Sequence, residues 1–128
     1  NNVVEITLDK PSKEIKFGNS SKISFHSAET VSKNKANLIS VDFNKLLFPL
    51  KLRNVKNGDY FFPIGMVGKK KVVKFLKDRK INSVDKFNKL VLVNGDDEII
   101  WVVGMRLDRR FSVTGGSKKI IDIKIDND

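Results

Sequence analysis

Two apolar runs joined by a turn constrain this chain more than any other feature. Leu90-Val91-Leu92-Val93 and Ile99-Ile100-Trp101-Val102-Val103 are apolar at successive positions, and Asn94-Gly95-Asp96-Asp97-Glu98 lies between them. Side chains on a strand alternate between its two faces, so a strand that is apolar throughout must be covered on both. The segment is predicted to form a hairpin in the middle of the domain, with its turn supplied by Asn94-Gly95-Asp96-Asp97-Glu98.

The flanking sequence reads as shorter, half-wet strands. Val3-Glu5-Ile6-Leu8, Glu14-Ile15-Lys16-Phe17 and Lys22-Ile23-Ser24-Phe25 run at near period two, with Pro11, Gly18, Asn19 and Ser20 in the turns between them. Asn37-Leu38-Ile39-Ser40-Val41 resumes the pattern, and Asp42 is placed to cap a short helical turn over residues 44–47, stopped by Pro49. A strand from Leu50 alternates Leu50 and Leu52 inward with Lys51 and Arg53 outward, and Asn57-Gly58-Asp59 turns the chain. Val72, Val73 and Leu76, joined by Phe75, form one face of a helix predicted over residues 69–80, while Lys70, Lys74 and Lys77 fall at i, i+4 and i+7 on another. Ser83 is expected to cap a second short helix over residues 84–88. Ile120-Ile121-Asp122-Ile123-Lys124-Ile125 closes the chain as an alternating strand after the Gly115-Gly116 turn. The expected fold class is α+β: mainly antiparallel strands, sandwich-like, with one principal helix near 69–80, in a single domain spanning 1–128.

Charge is unevenly placed. Residues 51–86 carry 11 basic and 3 acidic side chains, a net charge of +8, and the remaining 92 residues contribute only +2. Neighbouring cations add their potentials within a Debye length, so the concentration points to a polyanionic partner more than to solubility alone. No apolar run approaches the ~20 residues of a membrane span, so no membrane partner is expected. The absence of Cys suits a reducing, cytoplasmic setting and excludes thiol chemistry and cysteine zinc sites. The start at Asn1-Asn2-Val3-Val4-Glu5, with Met only at 66 and 105, suggests a piece of a longer protein.

No catalytic constellation stands out. The lone His26 has no neighbouring carboxylate pair or Cys, which argues against a metal site or a general base. Asp96-Asp97-Glu98 reads as a solvated turn. Gly65-Met66-Val67-Gly68-Lys69-Lys70 lacks the spacing and Lys-Ser/Thr ending of a nucleotide-binding loop, and Thr114-Gly115-Gly116-Ser117 lacks the Asp-Ser ending of a pyrophosphate loop. Gly68-Lys69 retains one option, a backbone site for one phosphate at the start of the basic helix. Tyr60, Phe61 and Phe62 lie near enough in sequence to stack on bases, although at least two are expected in the core, so contacts to phosphates and riboses of a duplex are favoured over base readout.

A set of short blocks in order narrows the reading. Pro49-Leu50-x-Leu52-Arg53 is followed by Gly58-Asp59-x-Phe61-x-Pro63-x-Gly65-Met66-x-Gly68-x-Lys70-Lys71, then by Phe75-Leu76-x-Asp78-x-Lys80-Ile81, then by Ile100-Trp101-Val102-x-Gly104-x-Arg106 and Phe111. This ordered set, over residues 42–114, resembles the C-terminal domain of bacterial tRNA(Ile)-lysidine synthetases (TilS). The resemblance implies a fold related to a domain of the phenylalanyl-tRNA synthetase β-subunit. It also implies a parent ligase that uses ATP and Mg to attach lysine to the wobble cytidine of tRNA(Ile), with its catalytic residues in an N-terminal domain. The C-terminal domain would help recognise the tRNA, chiefly at the acceptor stem, and would carry no catalytic residue, metal or cofactor of its own. Arg53, Lys70, Lys71, Lys80 and Arg106 fall on basic positions of the motif.

The expected tRNA-binding residues are therefore Arg53, Lys69, Lys70, Lys71, Lys74, Lys77, Arg79, Lys80 and Arg106. The expected partners are tRNA(Ile) and the catalytic domain of the same protein. One alternative is a module that packs against its parent protein without touching RNA. The other is an independent small hydrolase, which the lack of a catalytic constellation disfavours.

Overall fold

The computed structural model describes residues 3–127. In chain order its strands are β1 (Glu5–Leu8), β2 (Ile15–Phe17), β3 (Ser21–Ala28), β4 (Leu38–Asp42), β5 (Leu50–Asn54), β6 (Tyr60–Phe61), β7 (Lys70–Lys71), β8 (Leu90–Val93), β9 (Ile99–Val102), β10 (Arg106–Leu107) and β11 (Ile120–Asn127). The α-helix among the described residues, α1 (Val72–Asp78), follows β7 directly. A five-stranded sheet has the order β1-β5-β8-β9-β10 and a four-stranded sheet the order β2-β3-β11-β4, while β6 and β7 pair separately. All pairings are antiparallel.

The predicted hairpin is β8–β9, and it is covered on both sides. Leu92, Ile100 and Trp101 join Leu8, Leu50, Leu52 and the inward isoleucines of the four-stranded sheet in one core. Val91, Val93, Ile99 and Val102 form a second core on the opposite face with Phe61 and with Val72, Phe75 and Leu76 of α1. The architecture is therefore α+β in three layers, with the five-stranded sheet in the middle. A shift in register between Leu92 and Val93 pairs Val93 with Ile99 and Leu92 with Trp101. The extra residue lets Ile100 and Trp101 enter the same core although they are adjacent. Gly95 in the turn donates its N–H to the carbonyl of Leu47 at 2.7 Å, an approach so close that a Cβ there would overlap Leu47 backbone.

In the four-stranded sheet the C-terminal strand is central. β11 pairs with β3 from Ile120↔Ala28 to Asn127↔Ser21 and with β4 on its other side. Its alternation buries Ile121, Ile123 and Ile125 and turns Asp122, Lys124 and Asp126 away, as the sequence pattern requires. Asp42 caps the turn after β4, accepting the N–H of Asn44 at 3.0 Å, and the 3-10 turn spans Phe43–Lys45.

The principal helix is shorter than the predicted 69–80. Lys70 and Lys71 form β7, opposite Phe61 and Tyr60, so their backbone groups are committed to a strand. The N–H of Val72 donates to the carbonyl of Asp59 at 2.9 Å, which sets the helix start. At the other end Ile81 N–H reaches the Leu76 carbonyl at 3.0 Å and Lys80 N–H the Lys77 carbonyl at 2.9 Å, the double bond of a Schellman ending. Beyond it, the second short helix is a 3-10 turn over Lys86–Asn88. The residue bonding the free amides ahead of it is Asn82 rather than Ser83: its side-chain oxygen accepts from Val84 and Asp85 at 3.0 and 2.8 Å.

One buried carboxylate fastens the segment that leads to α1. Asp108 is fully buried and accepts the N–H of Phe62 at 2.9 Å, the N–H of Arg110 at 2.8 Å, and two guanidinium bonds from Arg110 at 3.1 and 2.9 Å. Arg110 also meets Glu98 at 2.9 Å. Burial opposes charge on Arg110, but the hydrogen bonds and negative charges of Asp108 and Glu98 outweigh it and raise the guanidinium pKa above its ordinary value. Asp108→Asn leaves that partly buried cation under-compensated and removes acceptor capacity. The expected loss is about 3 kcal/mol in a urea titration; a loss below about 1 kcal/mol would show that the pair is not the fastening.

Candidate nucleic-acid interface

An open groove of about 870 Å³ runs along one side of α1. Val73 and Ile81 contribute apolar surface to it, and Lys71, Lys74, Lys77 and Lys86 surround that surface. The lysines arrive there by exclusion. Burial of Val72, Phe75 and Leu76 fixes the rotation of α1, which leaves Lys74 and Lys77 exposed, while β7 delivers Lys71 and the 3-10 turn delivers Lys86. Lys74 lies 3.7 Å from Asp78, but both side chains are more than half exposed and such a pair neutralises little.

The acid that lines this groove is already engaged. Asp59 takes a bidentate pair from Arg53, both bonds at 2.9 Å, and the backbone N–H of Lys56 at 2.8 Å. Arg53 also donates to the carbonyl of Asn54 at 2.9 Å. The strand pattern predicts an outward Arg53, but its side chain is only 13% exposed. Its observed work is to hold the Asn57-Gly58 turn that walls the groove.

The other predicted cations are spread around this helix. Lys69 sits 4.4 Å from the centre of the Tyr60 ring, and Lys70 is half-buried opposite Phe61 on β6. Lys80 is exposed just beyond the helix with φ of 67°. On the flank away from the groove, the Arg79 guanidinium carbon lies 3.9 Å from the centre of the Phe75 ring and that of Arg106 5.7 Å from the same centre. Arg106 donates to the carbonyl of Ile64 at 3.0 Å. Burial, and then the positive charge of Arg79, lower the pKa of Arg106.

Two cations near the helix are absent from the set expected from sequence. Lys86 lies inside the basic stretch but has no helical period to attach it to the lysine row. Arg109 donates to the carbonyls of Met66 and Gly68 at 3.4 and 3.5 Å and lies over Phe62, so it braces the loop between β6 and β7. The expected phosphate position at Gly68-Lys69 does not form at a helix start, because both residues precede β7 and the first helical amide is bonded to Asp59.

The carboxylates and the Gly-Gly turn weighed for enzyme chemistry are engaged in structural bonds. Register places Asp122 between His26 on β3 and Ser40 on β4. Asp122 accepts hydroxyl bonds from Ser40 at 2.5 Å and Ser32 at 2.9 Å. A hydrolase relay needs the imidazole between hydroxyl and carboxylate, and here the carboxylate is in the middle. Asp96 accepts from Glu98 N–H and the Asn94 side chain, both at 3.1 Å, and Ser117 closes the Gly115-Gly116 turn and donates to Asp42 at 2.7 Å.

Comparison with known proteins gives a consistent result. The sequence profile of the family described as "TilS substrate C-terminal domain" matches residues 50–125. A tRNA(Ile)-lysidine synthase of Parabacteroides distasonis is 41% identical over 91 residues, covering 71% of this chain and 20% of that protein. One of Bacteroides thetaiotaomicron is 39% identical over 84 residues, covering 66% of this chain and 20% of that protein. The chain thus spans about a fifth of the length of these curated relatives. A crystal structure of a TilS C-terminal domain superposes with a TM-score of 0.78 at 19% identity, over 97% of this chain and 98% of that one, and shares its fold.

Lys80, at φ of 67°, offers a test of the helix ending. A β-carbon in the left-handed region costs about 1–2 kcal/mol, part of which glycine returns as freedom of the unfolded chain. Lys80→Gly is expected to raise the unfolding free energy by about 0.5 kcal/mol in urea. A fall in stability would show that the lysine side chain contributes to the fold.

Proposed function

Because the chain belongs to the TilS substrate C-terminal domain family, we propose that it is the tRNA-recognition domain of a tRNA(Ile)-lysidine synthase. The observation that carries the proposal is the groove beside α1, in which four lysines surround an apolar strip and the lining carboxylate is spent on Arg53. Lysines are point cations on flexible stems, suited to phosphates of varied position, and the apolar strip suits the carbon face of a ribose. Lys69, Lys70 and Lys80 extend the field around the helix. Such a surface holds a duplex backbone without reading its sequence, so its task is to orient the tRNA by its acceptor stem.

In this proposal the chain supplies no bond-making group. Attachment of lysine to the wobble cytidine, driven by ATP and Mg, belongs to a catalytic domain elsewhere in the parent ligase, which is also the domain's protein partner in the cytoplasm. No helix among the described residues is long and apolar enough to cross a membrane. Val84, 79% exposed, and Phe87, 37% exposed, flank the Lys86 turn and favour a second reading, in which this surface packs against the parent protein and the lysines serve only solubility.

Salt dependence separates the two readings, since removing one cation–phosphate pair lowers the log–log slope of binding against salt by roughly 0.7–0.9. Lys74→Ala with Lys77→Ala is expected to weaken binding to a tRNA(Ile) transcript and to flatten that slope by about 1.5 while the circular dichroism spectrum stays unchanged. Unchanged affinity and slope in the double variant, or no binding by the parent chain at low salt, would favour the packing reading.

A further inference from the structure

The five arginines of this chain fall into distinct environments. Arg53 and Arg110 are paired with carboxylates, and Arg109 is exposed and bonded to loop carbonyls. Arg109 and Arg110 share a ring, that of Phe62, but there Asp108 and Glu98 supply the counter-charge; Arg79, which donates to Sδ of Met66 at 3.9 Å, and Arg106 have no such partner among the described residues. Arg79 and Arg106 come from α1's C-terminal boundary and from β10, both partly buried, and they converge on one ring, that of Phe75. Among the described residues neither forms a salt bridge.

We infer that Arg79 and Arg106 together form a site for a single phosphate group, which on the RNA-binding reading above is one phosphate of the tRNA backbone. A stacking contact would explain either arginine alone. It does not explain two like charges brought to the same partly desolvated ring without a counter-charge, an arrangement that is unfavourable until an anion joins it. Burial is the larger cause of the lowered pKa of Arg106, and the positive charge of Arg79 adds to it in the same direction. The donors suit an oxyanion. Each guanidinium has five N–H groups, and the carbonyl of Ile64 takes one bond from Arg106 at 3.0 Å, so that group is held in place with donors to spare. Gly65, at φ of 82°, lies beside this guanidinium, where a Cβ would come to 3.9 Å from Nη1 of Arg106, an ordinary contact distance.

This site is separate from the lysine groove. At about 100° per helical residue, Phe75 and Arg79 share one flank of α1 while Val73 and Lys77 share the other. None of Phe75, Arg79 or Arg106 lines the groove. A backbone engaged on both flanks is fixed in direction as well as attracted.

Replacing both arginines by lysine keeps the charge and removes the fork geometry, which separates a phosphate clamp from a general positive field. Arg79→Lys with Arg106→Lys is expected to lower affinity for the tRNA(Ile) transcript about tenfold with its salt slope unchanged, whereas Lys33→Arg with Lys35→Arg, exposed and outside the proposed interface, stays within about twofold. In parallel, inorganic phosphate is titrated into the wild-type chain and followed through the arginine Nε–Hε resonances. Arg79 and Arg106 are expected to shift, and Arg53 and Arg110 to stay in place. Wild-type affinity in a folded Arg79→Lys, Arg106→Lys variant overturns the assignment to RNA, as does a phosphate titration in which these two resonances move no more than that of Arg53. If the wild-type chain binds no tRNA, the function proposed above fails and the phosphate titration alone decides the site. The same titration decides it if the double variant does not fold.

Discussion

Burial of the β8–β9 hairpin on both faces is the constraint from which the rest of this molecule follows. One face is satisfied by the four-stranded sheet, and the other requires a separate cover, which β6, β7 and α1 provide. Full burial of a valine, leucine or phenylalanine side chain contributes about 1.5–3 kcal/mol relative to exposure. With nine buried residues in the second core, α1 has little freedom to move or rotate. Its cationic surfaces are therefore held in place by apolar packing on their far side. The Asp108–Arg110–Glu98 cluster and the Arg53–Asp59 pair fasten the two turns at which this cover joins the sheet.

Much of this organisation is legible in the sequence because it is local. A doubly apolar hairpin, an alternating last strand, an Asp ahead of a short turn and a helix with an apolar stripe are each written within about ten residues. The boundaries of α1 are not. Lys70 and Lys71 continue the helical period yet fold as a strand, because Tyr60 and Phe61 offer them a partner, and that pairing is tertiary. Lys80 ends the helix in a conformation usually given to glycine, so the usual stop signal is missing. The Asn82 bonds replace the expected Ser83 cap for a similar reason: two adjacent residues have suitable side chains, and the turn geometry chooses between them.

The candidate interface is partly legible in the same sense. The concentration of positive charge in residues 51–86 singles out the segment that carries α1 and the groove beside it, and the ordered motif points to the family. Charge counting does not sort the cations by environment. It gives equal weight to Arg53, spent on Asp59, to Lys74 and Lys77, exposed at the groove, and to Arg79 and Arg106, which meet only through the fold. The useful distinction is between a cation with a fixed carboxylate partner and one held in position without it.

Whether the two flanks of α1 hold an RNA backbone is decided by titrating isotope-labelled chain with a tRNA(Ile) transcript and mapping the amide resonances that move. Shifts are expected across residues 57–59 and 69–86, together with Gly65 and Arg106. Shifts confined to the outer face of the four-stranded sheet around His26 and Asp122, or none at saturating RNA in low salt, would contradict the proposed interface.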